Sequence, residues 1–273
     1  MSLFNAGDLL DVARRRAPGY GSADPFPHAI IDGLFDARLL WRAAGSFPQP
    51  AQFSWYKYDN PLERKLAMPH VDRLPEQFRV LMEALNSASF VEFLEMLTGI
   101  SGLRPDPEYV GGGLHQIEVG GKLDIHTDFN YHPTTKLDRR LNVLVFLNER
   151  WSEDYGGHLE FWDLGMTRAV QRILPVFNRM VVFNTSDLSN HGHPEPLNCP
   201  PGWTRKSLAT YYYSDGRPAA ERSAPHSTIY KKRPQDSDDQ TIEALRVHRA
   251  RGRLQDLKTA DPRDREPGEK GAS

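Results

Sequence analysis

The chain has 273 residues, of which 39% are hydrophobic and 10% aromatic, and its formal net charge is −2. These values predict a folded protein with a substantial core, and they exclude an overall charge that would draw the protein to nucleic acid or an anionic membrane. The single cysteine excludes an internal disulfide, and we find neither a signal peptide nor an apolar run of about 18 residues. We therefore expect a cytoplasmic protein.

The first part of the chain is predicted to support a later domain. Residues 1–24 suggest a short helical arm, and a first strand and a helix follow it. Residues 48–73 are predicted to be irregular because prolines interrupt them repeatedly. Two helices come next, the first opening at Pro75 and the second capped by Ser89, and both carry apolar residues at helical spacing. We assign residues 25–105 to a helical and irregular support region.

From residue 106 the pattern changes to short strands separated by turns. Residues 141–147 are almost wholly apolar, as expected for a strand buried on both faces. The predicted fold class is therefore mainly β with flanking helices: a double-stranded β-helix (jelly roll) core at residues 106–218 with N-terminal helical support. Residues 219–273 form a polar C-terminal extension, with a charged helix at residues 241–258 and a partly disordered end.

The main chemical feature is His126-Thr127-Asp128, which lies on a predicted strand. Residues i and i+2 of a strand project from the same face, so the imidazole and the carboxylate would share one space. They are two ligands of the 2-His-1-carboxylate facial triad that binds non-haem Fe(II). His70-Val71-Asp72 repeats the pattern in irregular chain. No strand aligns its side chains, so we expect ordinary loop residues there.

The third ligand of such a triad must come from a distant strand, and His191 and His193 are both candidates. We favour His191 because it lies closer to the end of the preceding apolar strand and because Gly192 allows close backbone approach. Pro194 follows His193, which we expect in a rigid exit loop. A histidine ligand must be neutral, so metal affinity should fall below about pH 6.5.

An anchor for a co-substrate follows His191. Arg205 and Ser207 share a face of the predicted strand that leads to residues 208–213. A guanidinium presents a bidentate fork to a carboxylate, and a neighbouring hydroxyl adds one donor. This combination suits the distal C5 carboxylate of 2-oxoglutarate, whose keto-acid end would chelate the iron.

These residues together resemble the 2-oxoglutarate/Fe(II)-dependent dioxygenase superfamily, and in particular its prolyl 4-hydroxylase-like branch. The resemblance covers roughly residues 25–218. The motifs that carry it are His126-x-Asp128, His191, Arg205-x-Ser207, Gly120-Gly121-x-Leu123, Arg139-Arg140-Leu141-Asn142 and Gly156-Gly157-x-Leu159-Glu160. It implies a double-stranded β-helix fold and Fe(II) held by His126, Asp128 and His191. It also implies 2-oxoglutarate and O2 as co-substrates, with ascorbate supporting activity.

The resemblance also implies a reaction, in which oxidative decarboxylation of 2-oxoglutarate is coupled to hydroxylation of an unactivated aliphatic C–H bond. Halogenating relatives carry a small residue at the position of Asp128, so its carboxylate favours hydroxylation. Prolyl hydroxylases place tyrosines that contact 2-oxoglutarate where this chain has Gln116 or Ile117, and Phe146. Asn142, on the same strand face as Phe146, is predicted to compensate as a 2-oxoglutarate contact.

The substrate remains open at this point. A peptidyl proline, a free amino acid and another small metabolite are the alternatives, and a catalytically silent metal- or oxoglutarate-binding sensor is a further one. Nucleic-acid demethylating relatives carry a second arginine where this chain has Tyr211, so we expect neither a nucleic acid nor a membrane as partner. His115, Tyr131 and Trp162 are candidates for the substrate cleft, although each also suits a packing role.

Overall fold

The computed structural model describes residues 3–51 and 55–251, which form one curled antiparallel sheet with helices packed on it. The helices are α1 (Ala6–Tyr20), α2 (Ala37–Gly45), α3 (Glu76–Leu85), α4 (Ala88–Thr98) and α5 (Gln240–Arg251). The strands are β1 (His28–Asp32), β2 (Tyr56–Asn60), β3 (Glu63–Met68), β4 (Arg104–Pro105), β5 (Gly113–Ile117), β6 (Lys122–Thr127), β7 (Asp138–Phe146), β8 (Leu159–Trp162), β9 (Ala169–Ile173), β10 (Arg179–Asn184), β11 (His191–His193), β12 (Arg205–Ser214) and β13 (Ile229–Tyr230). The predicted mainly β fold with flanking helices is confirmed.

The order of strands across the sheet is β1-β10-β7-β12-β5-β3-β6-β11-β8-β9, and β2, β4 and β13 pair with single members of this path. Every pairing is antiparallel. Chain neighbours such as β6 and β7 are far apart in this order, as in a jelly roll, where strands alternate between the two halves of the curled sheet. The two halves face each other across the interior cavity described below.

Strand β7 explains how the helices and the cavity are separated. Val143 and Val145 belong to the large hydrophobic core that includes residues of α1, α2, α3 and α4. Asn142, Leu144 and Phe146 alternate with them, and Asn142 and Leu144 line the interior cavity while Phe146 packs in a smaller aromatic cluster. Successive side chains of a strand point to opposite faces, so an almost continuous apolar run is required where both faces are buried.

The N-terminal part of the chain contains more strand than predicted. The expectation of an irregular segment at residues 48–73 is wrong, because β2 and β3 form a hairpin that joins β5 and β6. The cap of α4 is Ser87, whose hydroxyl accepts a hydrogen bond from the backbone N–H of Phe90, and not Ser89 as predicted. The neighbouring strands β5 and β6 pair with β3 and so connect this hairpin to the rest of the sheet.

The C-terminal part of the chain adds one short strand to the sheet and then forms a helix. Strand β13 pairs with β6, and α5 follows it. The predicted charged helix at residues 241–258 is therefore present up to Arg251, and its remaining residues and the predicted disordered end lie outside the described residues. Among the described residues, no helix has both the length and the apolar character needed to cross a membrane. The division of the chain into four segments stays a prediction.

Candidate active site

His126 and His191 lie opposite each other on the paired strands β6 and β11. Their ring centroids are 4.4 Å apart. The Nδ1 atom of His126 is 2.8 Å from the carbonyl oxygen of Asp124, and that of His191 is 2.9 Å from the carbonyl oxygen of Ser189. A carbonyl can only accept, so both Nδ1 atoms carry the proton, and both Nε2 atoms are left as lone-pair donors to a metal.

Asp128 completes the cluster directly after the end of β6. One carboxylate oxygen lies 3.6 Å from Nε2 of His126, and the other lies 3.6 Å from Nε2 of His191. Within the described part of the chain, these three residues are the group whose potential ligand atoms all lie within 4.8 Å of one another. Two neutral imidazoles and one carboxylate are the donor set that suits Fe(II) with open coordination positions, so the residues present fit the metal.

Asp128 is held by two further side chains. Its Oδ2 accepts hydrogen bonds from Nη2 of Arg139 at 2.8 Å and from Nδ2 of Asn142 at 3.1 Å. Burial alone would raise the pKa of Asp128, but the adjacent Arg139 guanidinium and the neighbouring histidines hold the pKa well below its usual range. The carboxylate is therefore ionised, as a metal ligand must be, and its orientation is restricted before any metal binds.

Arg139 is itself fully buried, and its guanidinium packs against two aromatic rings that are nearly perpendicular to each other. Its guanidinium lies 4.4 Å from the ring centroid of Phe129 and 3.5 Å from that of Tyr211. The Tyr211 hydroxyl donates to the carbonyl oxygen of Gly111 at 2.8 Å, and this hydrogen bond orients the Tyr211 ring. The position that could have carried a second arginine thus provides a cation–π platform instead.

The second His-x-Asp pair has a different environment. His70 precedes a 3₁₀ turn at Val71–Arg73 that contains Asp72, as expected for irregular chain. The group of potential metal ligands found in the described residues does not include this pair. The position of a His-x-Asp pair relative to the sheet thus separates the two copies.

Arg205 and Ser207 lie on β12 with their side chains in the same cavity as the histidines. The Arg205 side chain is 4% exposed, its Nε donates to the carbonyl oxygen of Gly157 at 2.7 Å, and its guanidinium lies 4.9 Å from the Phe146 ring centroid. Burial lowers the pKa of Arg205 to about 9. Among the described residues, no carboxylate lies within salt-bridge distance of it, so this buried cation has no charged partner there.

The cavity has a volume of about 320 Å³. All six residues predicted for the metal and the co-substrate line it: His126, Asp128, His191, Arg205, Ser207 and Asn142. His115 also lines it, and burial lowers the pKa of His115 to about 3, so its ring is neutral. Tyr131 and Trp162 lie outside this lining, and the Trp162 indole donates to Glu160 at 2.9 Å.

Sequence reasoning missed several residues of the cavity wall. His193 is not in an exit loop, as predicted, but on β11, where it is buried and faces the cavity beside His191. The β2–β3 hairpin contributes Tyr58 and Lys65, and the C-terminal segment contributes Tyr230, whose ring centroid lies 5.6 Å from that of His126. Strands β11 and β13, which carry His193 and Tyr230, have only three and two residues and are too short for a periodic pattern to reveal them.

Residues 112–213 match the model of the 2OG-Fe(II) oxygenase superfamily, which confirms the resemblance drawn from the sequence. The name of the superfamily specifies Fe(II) and 2-oxoglutarate as its cofactor and co-substrate.

Individual relatives were found by sequence and by structure. The chain is 24% identical over 195 residues to prolyl 3-hydroxylase OGFOD1 of Mus musculus, and the alignment covers 70% of this chain and 33% of that protein. It thus spans about a third of the length of this curated relative. A prolyl-4-hydroxylase of Pseudomonas putida superposes with a TM-score of 0.49 at 14% identity, covering 78% of this chain and 100% of the other. A prolyl hydroxylase of Trichoplax adhaerens superposes with a TM-score of 0.49 at 15% identity, covering 76% and 91%.

Proposed function

We propose that this chain is an Fe(II)- and 2-oxoglutarate-dependent dioxygenase that hydroxylates an unactivated aliphatic carbon, with a prolyl residue as the favoured substrate. The observation that carries the proposal is the convergence of the three metal-ligand candidates and the buried, carboxylate-free Arg205 on one cavity. The prolyl assignment rests on the likeness to a prolyl 3-hydroxylase.

In this proposal His126, Asp128 and His191 hold Fe(II), and Arg205 with Ser207 binds the C5 carboxylate of 2-oxoglutarate. When bound, iron, 2-oxoglutarate and O2 supply the oxidising chemistry for C–H hydroxylation. The carbonyls of Asp124 and Ser189 keep the histidine protons on Nδ1. Asn142 remains a predicted contact of 2-oxoglutarate.

Leu144 lines one side of the cavity, and Tyr230 packs beside His126 on the other. Arg205 itself is almost fully buried. Its attraction to a carboxylate is therefore stronger than at an exposed site, because the local dielectric constant is low. We expect ascorbate to support turnover by keeping the iron ferrous.

A hydroxylase of a free amino acid or another small metabolite is the second candidate. The observation in its favour is the cavity volume of about 320 Å³, which lies at the lower end of the roughly 300–1,000 Å³ of small-molecule pockets. The formal net charge of −2 does not favour nucleic acid, and it is compatible with both peptidyl and small-molecule substrates.

The test measures succinate release with Fe(II), ascorbate and 2-oxoglutarate, followed by mass spectrometry for a product heavier by about 16 Da, one oxygen atom, in peptide and metabolite pools. We expect turnover in the wild type and its loss, together with loss of bound metal, in His126→Ala and Asp128→Ala. The matched controls are His70→Ala and Asp72→Ala, which change the second His-x-Asp pair and should retain metal. Tight 2-oxoglutarate binding without succinate release from any pool would identify a sensor and refute the enzyme.

A further inference from the structure

A second group of charged side chains lines the cavity apart from the metal ligands. It consists of Glu63 and Lys65 on β3 and Arg249 on α5, and we refer to these three residues as the Glu63 cluster. Glu63 is 1% exposed, and its two oxygens contact Lys65 Nζ at 3.2 Å and Arg249 Nη2 at 2.6 Å. One buried carboxylate is therefore shared by two cations.

The Glu63 cluster lies close to the proposed iron ligands. The Tyr230 ring separates them, with its centroid 5.6 Å from the His126 ring and 5.8 Å from the Arg249 guanidinium. On the other cation, Lys65 Nζ lies 4.7 Å from the Tyr58 ring centroid. These two cations and two aromatic rings line the same cavity as the candidate metal ligands.

The charges of the cavity wall do not cancel. Among the described side chains that line the cavity, the carboxylates are Glu63 and Asp128, and the permanent cations are Lys65, Arg139, Arg205 and Arg249. Asp128 is paired with Arg139. In the proposed function, one carboxylate of 2-oxoglutarate pairs with Arg205 and the other offsets one of the two charges of Fe(II). Positive charge still exceeds negative charge in the loaded cavity, and one positive charge of the excess lies at the Glu63 cluster, where two cations share one carboxylate.

We propose that Lys65 and Arg249 form a subsite for a carboxylate of the primary substrate, which therefore carries an acidic group near the carbon that is hydroxylated. This inference rests on the proposed function. Both cations are partly exposed, with side chains 17% and 37% accessible, so a ligand can reach them. Guanidinium and ammonium groups bind carboxylates through charge-assisted hydrogen bonds.

Glu63 sets the strength of this subsite because it competes with the substrate for the same donors. Burial alone would raise the pKa of Glu63, but the charges of Lys65 and Arg249 outweigh it and hold the pKa below its usual value. Glu63 is thus an anion that occupies part of the donor capacity of both cations. Replacing it by glutamine removes the competing charge, so it should strengthen binding of an acidic substrate, whereas loss of either cation should weaken it.

The experiment uses the full chain loaded with Mn(II), which does not support oxidation, and 2-oxoglutarate. Fluorescein-labelled peptides with one proline and either glutamate or glutamine beside it are titrated by fluorescence anisotropy, with N-acetylglutamate and N-acetylglutamine as competitors. We expect the wild type to bind the glutamate member of a pair about 10-fold more tightly, a difference of about 1.4 kcal/mol. Competition by N-acetylglutamate alone, with no peptide preference, would assign the subsite to a small acidic substrate.

The variants are Lys65→Gln and Arg249→Gln, which should bring the acid-to-amide ratio to about 2-fold or less, and Glu63→Gln, which should raise it above the wild-type value. Lys57→Gln is the matched control, because Lys57 is an exposed lysine on β2 of the same hairpin and does not line the cavity. A structural role of the cluster would lower binding in all three variants, so the opposite sign for Glu63→Gln separates the two explanations.

Three results would overturn the inference: an unchanged acid-to-amide ratio in the cation variants, no acid preference or binding by any probe in the wild type, or a raised KM for 2-oxoglutarate in Lys65→Gln. The last result would assign Lys65 to the co-substrate instead. Succinate release by the wild type is measured in parallel. Its presence with a failed acid preference refutes the subsite alone, whereas its absence refutes the proposed function.

Discussion

Arg139 provides a test of how the metal site is held together, because it is a buried cation whose charged partner is the candidate metal ligand Asp128. The perturbation is Arg139→Met, which keeps an unbranched side chain between the rings of Phe129 and Tyr211 but removes the charge. The carboxylate would then be buried without its guanidinium. Breaking a buried ion pair by removing one partner costs about 3–5 kcal/mol, which corresponds to a decrease in Tm on the order of 10 °C.

Bound metal should restore part of the stability that Arg139→Met removes. In the metal-free protein Arg139 is the principal countercharge of Asp128, whereas a divalent ion placed between Asp128 and the histidines supplies its own positive charge. The destabilisation by Arg139→Met should therefore be smaller in Mn(II)-loaded protein than in metal-free protein. Urea denaturation of both forms, with and without Mn(II), measures the four free energies of unfolding.

Arg139→Lys is the matched control because it keeps the charge while losing the planar stacking. It should cost less than Arg139→Met in the metal-free protein. Equal destabilisation by Arg139→Met with and without Mn(II) would refute the reasoning. Such a result would mean that Arg139 contributes through packing between the two rings rather than by compensating the charge of Asp128.

Three further predictions concern other parts of the cavity. Burial lowers the pKa of His191 to about 4, so between pH 6.5 and 4 the unfolded chain binds more protons at this residue. As the pH falls through that window, His191 alone should lower the free energy of unfolding of the metal-free protein by about 3 kcal/mol; urea denaturation against pH should show a shallower slope in His191→Asn. Arg205→Gln should raise the KM for 2-oxoglutarate by about 30-fold or more, and Arg205→Lys by less, as read from succinate release; an unchanged KM in Arg205→Gln would remove Arg205 from the co-substrate site. Gly192→Ala would place a Cβ 2.8 Å from the carbonyl oxygen of Asp124 and so push β11 away from β6, and metal analysis should show loss of bound metal. Gly165→Ala, whose Cβ would meet only Thr167 Cγ2 at 3.4 Å, is the control and should retain the metal.

The strands with internal patterns could be predicted from the sequence. Residues 141–147 are apolar except for Asn142 because β7 is buried on both faces, and β10 carries a shorter apolar run. The metal-ligand candidates could be predicted for the same reason. Their chemistry is visible in the residue types, and His126 lies on a strand whose alternation can be read locally. Burial lowers the pKa of His191 to about 4, and the pH dependence of metal affinity stays a prediction.

The parts that could not be predicted depend on pairing with distant strands. Strand β2 has the sequence Tyr-Lys-Tyr-Asp-Asn, whose alternation extends over only two tyrosines, and it pairs along its full length with β3. Strand β11 consists of His-Gly-His, and only its pairing with β6 and β8 makes it a strand and turns His193 into the cavity. Tyr230 enters the site through the same kind of contact, in a strand of two residues. Local sequence does not encode partners so far away.

The two ends of the cavity are consequently built in different ways. The candidate 2-oxoglutarate anchor lies on β12, a ten-residue strand paired with β7 and β5. The candidate iron ligands lie on or beside β6, which is bordered near the histidines by two short strands, β11 and β13. Short strands have few ladder hydrogen bonds and depend on their neighbours, so local opening should begin at the metal end. Helix α5 therefore has two roles at this end of the cavity. Arg249 lines the cavity, and its ion pair with Glu63 stabilises the metal end, which is the less stable half of the site.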